Sequence, residues 1–141
     1  MSADFYLFNN TNHSIKIIWD EAAFVDAEGL SHRIVHKGIK YIDMEKPQPV
    51  SVVVRGGILS DIVVPTTYVS HSSAFGWRKD PFFSPVFTQS SHLIEQVLQD
   101  SKYNIGKVVQ ILLPLAIQGT VNEYIFLFKV NDVQITLEFN S

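Results

Sequence analysis

Apolar and polar positions alternate with a period near two over most of this chain, which is the pattern of half-buried strands. Phe5-Tyr6-Leu7-Phe8 and Ser14-Ile15-Lys16-Ile17-Ile18-Trp19-Asp20 read as two strands. Between them Asn9-Asn10-Thr11-Asn12-His13 carries short polar side chains that satisfy backbone groups locally, predicting a hairpin or a strand-to-strand corner. The second strand is predicted to run on through Phe24-Val25-Asp26, turn at Ala27-Glu28-Gly29 and return from Leu30 to His36. Gly38 breaks that return, Ile39-Lys40-Tyr41-Ile42 predicts a short strand, and Pro47 and Pro49 hold an extended connection. Val50–Val54 and Ile58–Val64 flank Arg55-Gly56-Gly57 and predict a hairpin with both arms largely buried, ended by Pro65.

From 66 to 90 no period is sustained. The stretch holds Ser70-His71-Ser72-Ser73, Pro81, Pro85 and the aromatics Phe75, Trp77, Phe82, Phe83 and Phe87. A connection of this length inside one domain is either functional or packed by its own side chains. Leu93, Ile94, Val97 and Leu98 then share one face of a short amphipathic helix predicted near residues 91–101, capped by Ser90 or Ser91. Beyond Gly106, Lys107–Leu113 predicts a strand that breaks at Pro114, resumes over Leu115–Ile117 and turns at Gln118-Gly119-Thr120. Glu123–Val130 returns with Tyr124, Phe126 and Phe128 on one face and a mixed set on the other. A turn at Asn131-Asp132 leads to Val133, Ile135, Leu137 and Phe139, alternating with polar residues as an antiparallel strand near an edge.

About seven to nine short strands with glycine-bearing turns and one helix predict a mostly β fold, an antiparallel β-sandwich in a single domain over 1–141. A βαβ fold would need a helix after nearly every strand. Composition supports a folded core: 46% of the 141 residues are hydrophobic and 12% aromatic, against 18% charged. The formal charge of −3 is spread without a Lys/Arg run, so nucleic acid is not an expected partner. Cysteine is absent, which excludes disulfides, thiolate metal sites and a cysteine nucleophile. The start lacks the basic and apolar segments of a secretory signal and no run is apolar enough for a membrane span, which predicts a soluble chain. A cytosolic protein and an exported domain that has lost its leader both fit, and the oligomeric state is open.

Candidate chemistry is sparse. Asp20, Asp26, His32 and His36 are the residues from which a small hydrolase or metal-dependent enzyme could be built. On one extended strand, however, His32 and His36 would stand about 13 Å apart, too far to chelate one metal. No Gly-x-Ser-x-Gly elbow precedes a helix, Gly56-Gly57 lacks the Lys-Ser/Thr of a phosphate loop, and no cofactor is implied. The aromatic stretch is the stronger candidate. Phe75, Trp77, Arg78, Phe82 and Phe83 are the residue types that anchor interfaces, and equally those that plug the open end of a sandwich.

Several segments together, Phe8-Asn9-Asn10-Thr11, Ile17-Ile18-Trp19-Asp20-Glu21, Phe24-Val25-Asp26 with Gly29, and His32–Tyr41, resemble a group of small uncharacterised bacterial proteins. Leu112-Leu113-Pro114-Leu115 and Glu123-Tyr124-Ile125-Phe126 resemble the closing hairpin of the same group, so the likeness spans most of the chain. These proteins are often lipid-anchored in the envelope and have immunoglobulin-like β-sandwich domains. The resemblance implies that fold and an envelope setting, and no activity; the acylated cysteine of a lipidated relative has no counterpart here. The leading expectation is a non-catalytic binding or protein-interaction module whose contact surface is the 75–87 stretch and a nearby strand edge. An enzyme using His32, His36, Asp20 and Asp26, and an inhibitor or immunity-type protein whose acidic balance suits a basic partner, are the alternatives.

Overall fold

A computed structural model describes residues 3–74, 76–79 and 102–131, the side chains of Arg78 and Lys79 excepted. The alternating segments form strands, β1 (Ala3–Phe8), β2 (Ile15–Ile17), β3 (Ala23–Val25), β4 (Ser31–His36), β5 (Ser51–Val53) and β6 (Ile58–Pro65), but the expected run from Ser14 to Asp26 is broken by a 3-10 turn at Trp19–Glu21. They are followed by β7 (Val69–Ser72), β8 (Gly76–Lys79), β9 (Val108–Ile117) and β10 (Thr120–Lys129). The predicted helix at 91–101 and the predicted strand from Val133 to Phe139 lie outside the described residues. No helix among the described residues is long and apolar enough to cross a membrane.

Every pairing is antiparallel. One 8-stranded sheet runs in the order β1-β6-β4-β3-β9-β2-β5, with β10 on the other side of β9. Strand β4 joins the two parts of this sheet. Ser31–Arg33 pair with β3, whereas Ile34–His36 pair with β6. The two parts pack against one core in which Trp19, Phe24 and Ile17 from one side meet Ile34 and Val63 from the other. Phe24 is 1% exposed, a burial worth about 1.5–3 kcal/mol. A second cluster, Val35, Val64 and Val69 with Tyr41 and Met44 against it, covers the outer face of β4 and β6.

Strand β9 is continuous through Pro114, where the sequence predicted a break. The reason lies across from it. Thr120 and Ile117 flank a two-residue turn, Gln118 at φ 52° and Gly119 at φ 77°, and such a turn closes on a hydrogen-bonded pair. Odd residues of β9 therefore bond to β10 and even ones face β2 and β3. Pro114 thus lacks its N–H on the side where the 3-10 turn Trp19–Glu21 interrupts those two strands, while its carbonyl accepts the N–H of Ile18 at 3.0 Å.

Three other expectations change. Residues 50–64 are not a hairpin: β5 pairs with β2, and β6 with β1 and β4, so Arg55-Gly56-Gly57 crosses between parts of the sheet. Burial there is one-sided, with Val52 and Ile58 exposed. Tyr41–Asp43 is a 3-10 turn in place of the short strand, because it sits on the valine cluster as a lid instead of pairing along an edge. Within 66–90, β7 and β8 form a separate two-stranded sheet.

The crossover at 54–57 is stitched to the β1–β2 corner by Asn9, which is 0% exposed. Its amide donates to the carbonyls of His13 at 2.7 Å, Val53 at 2.9 Å and Val54 at 3.2 Å, and its Oδ1 accepts from the N–H and hydroxyl of Thr11. Its backbone N–H donates to Gly57 and its carbonyl accepts from Gly56. Replacing it strands buried carbonyls without donors. Asn9→Ala is expected to lower unfolding free energy by about 2–4 kcal/mol, read from urea denaturation.

Candidate functional site

On the side away from β4, the strands β1 and β10 do not meet. Between them runs a groove of about 460 Å³, walled by Phe5 and Leu7 of β1, Ile111 and Leu113 of β9, and Tyr124 and Phe126 of β10. Period-two alternation builds it: the inward positions of β1 and the even positions of β10 from Tyr124 to Phe128 are all apolar or aromatic. Tyr124, Phe126 and Phe128 remain 43–49% exposed. Asp4 is the one charged residue among the described residues that line the groove, and Thr11 adds a hydroxyl.

The edge of β1 beside this groove has no strand partner among the described residues. Asn9 donates its N–H to Gly57 on the β6 side, so the odd residues of β1 bond to β6. The even residues Asp4, Tyr6 and Phe8 thus present their backbone N–H and C=O groups to the free edge. Tyr6 and Phe8 are 70% and 61% exposed. An apolar trough beside a strand edge is the geometry on which strand addition by an extended chain rests.

No known protein family, curated protein or solved structure matches this chain. The site is therefore read from its own geometry.

The described residues singled out in the sequence do not line the groove. Trp77 is on β8, 42% exposed, its ring 4.9 Å from that of His71 and 6.1 Å from that of Tyr41. Arg78 is the next residue of β8, and Phe75, Phe82 and Phe83 lie outside the described residues. Asp20, Asp26, His32 and His36 do not converge. Asp20 accepts the N–H of Gln48 at 2.9 Å and Nη2 of Arg33 at 3.0 Å, tying the 44–48 segment to β4. His36 stacks flat on Trp19, centroids 4.1 Å apart, and faces Asp61 through Nδ1 at 3.2 Å. Its Nε2 is buried without a partner, consistent with a ring used as core. Among the described residues no three metal-binding side chains come together.

His32 and Asp26 do meet. Nε2 of His32 lies 2.7 Å from Oδ2 of Asp26, and Nδ1 lies 2.8 Å from the hydroxyl of Thr67. A carboxylate only accepts, so Nε2 carries the proton, and in the neutral ring Nδ1 accepts from the Thr67 hydroxyl. Hydroxyl, imidazole and carboxylate stand in the order of a nucleophilic relay, but none of them lines the groove. What the arrangement does in this fold is fasten the β3–β4 turn to the 3-10 turn Thr66–Tyr68. Burial pushes the Asp26 carboxyl up, but hydrogen bonds from His32 and from the N–H groups of Leu30 and Glu28 outweigh it and hold the group below its ordinary value. Burial, followed by the charges of Asp26 and Glu28, raises Tyr68, whose ring meets His32 edge-on. Asp20 is also lowered, first by the Gln48 N–H, with burial opposing and Arg33 adding to it.

A carboxyl lowered in the folded state stabilises the fold above its unfolded value and loses that contribution as pH falls through the folded one. Denaturant midpoints should therefore decline below about pH 4. Asp26→Asn should cost about 1–3 kcal/mol at pH 6 and flatten that decline, measured by urea titration across pH.

Proposed function

We propose that this protein is a non-catalytic protein-interaction module on an immunoglobulin-like β-sandwich, which binds an extended apolar segment of a partner along the free edge of β1. The observation that carries this reading is the coincidence of an edge with no strand partner among the described residues and an apolar groove beside it. Main chain is the ligand chemistry that answers the regularly spaced N–H and C=O groups at Asp4, Tyr6 and Phe8, and every second side chain of such a ligand would enter the groove. A small apolar molecule would fill the trough and leave that edge unanswered. Trp77, with Phe75, Arg78, Phe82 and Phe83, remains in this proposal as a second contact surface on the grounds of residue type. The family resemblance supports an envelope setting as part of the same proposal.

Panning a phage-displayed library of random peptides on the protein should enrich sequences that alternate apolar and polar residues. The enriched peptides should shift backbone resonances of β1 and of the groove walls. Tyr6→Pro removes an N–H that faces away from β6, so it should weaken this binding at least tenfold with little change in Tm. Enrichment of highly polar peptides, or shifts confined to other strands, would refute the reading.

A further inference from the structure

Strand β10 is exposed on both faces. Away from the groove, Ile125 and Leu127 are 56% and 67% exposed, and among the described residues β9 is its one strand partner. A bare apolar edge of this kind templates pairing with another chain. Which chain fits is set by the register of the edge.

Val130, just past the strand, donates its N–H to Lys107 at 2.9 Å and accepts from Gly106 at 2.8 Å, so even residues here point toward β9. The free edge is consequently formed by the backbone groups of Val121, Glu123, Ile125, Leu127 and Lys129. Antiparallel pairing of this edge with its own copy must set odd residues against odd. When the twofold axis passes through Phe126, Glu123 faces Lys129 of the second copy and Lys129 faces Glu123 in turn. Ile125 then faces Leu127, Tyr124 faces Phe128, and Phe126 meets itself. Opposite charges and aromatic rings set directly across from each other are the favourable cross-strand pairs. Shifting the axis by one residue either way destroys the charge pairing.

We propose that the protein self-associates as a twofold dimer through β10, with the axis at Phe126, so that the two sheets become continuous. The alternative occupant of this edge is the segment 132–141 of the same chain. The dimer does not rest on the ligand of the groove: Glu123 and Lys129 point away from the face that Tyr124 and Phe126 give to it.

Sedimentation equilibrium of the full chain reads the proposal directly. The protein should show a concentration-dependent dimer. Glu123→Lys and Lys129→Glu, both at exposed positions, should each weaken it at least tenfold by placing like charges across both ends of the seam, and the double exchange should restore it. Circular dichroism should be the same for all four proteins. The chain being monomeric throughout, or a dimer indifferent to the single exchanges, would overturn the proposal. Equal protection of the odd β10 amides in a monomer would instead assign the edge to 132–141 and overturn it as well.

Discussion

The structure depends on one strand having two sets of partners. Ser31–Arg33 of β4 continue the part of the sheet built on β9, and Ile34–His36 continue the part built on β6. Among the described residues, backbone hydrogen bonds through β4 close one side of the core, and β1 and β10 on the other side do not pair. The β1–β2 corner and the 54–57 crossover pass between the two parts, and the Asn9 side chain holds both with the same amide. Packing then follows from alternation: Trp19, Phe24, Ile34 and Val63 fill the space between the parts. On the open side, Phe5, Leu7 and Phe126 face a trough instead of one another.

That asymmetry gives the functional reading its physical basis. Soluble β proteins guard their edges with charges, prolines, bulges or a covering segment. Here the outward positions of β1 are Asp4, Tyr6 and Phe8, and β10 carries Ile125 and Leu127 between Glu123 and Lys129. Two aromatic or aliphatic side chains per edge, exposed beside unpaired backbone, are costly as free surface and useful as contact surface. The two edges also differ in kind. The one on β1 borders an apolar trough and suits an unrelated extended chain, whereas the one on β10 is complementary to itself.

Much of the fold was legible as strands because period-two burial needs no knowledge of partners. Phe5 and Leu7 inward, the Gly29 turn and the alternation of Tyr124, Phe126 and Phe128 all follow from the local pattern. Pairing was harder to read, since it depends on tertiary direction. Arg55-Gly56-Gly57 has the composition of a hairpin turn but joins strands of different parts, and Pro114 survives inside β9 only because a 3-10 turn lies across from it. Tyr41 has the composition of a strand residue, yet the valines of β4 and β6 gave it a packing site that no edge offered. The groove could not be read at all: aromatic residues on one face of a strand look the same whether they meet a second sheet or open space. Asp20, Asp26 and His36 stood out by residue type, and the structure uses them as tethers of loops and as core.

The central claim is that β1 is hydrogen-bonded on one side alone among the described residues. Native-state hydrogen exchange followed residue by residue tests it most directly. The account predicts slow exchange for the amides of Phe5, Leu7 and Asn9 and fast exchange for those of Asp4, Tyr6 and Phe8 in the unliganded protein. Equal protection of both sets would contradict it.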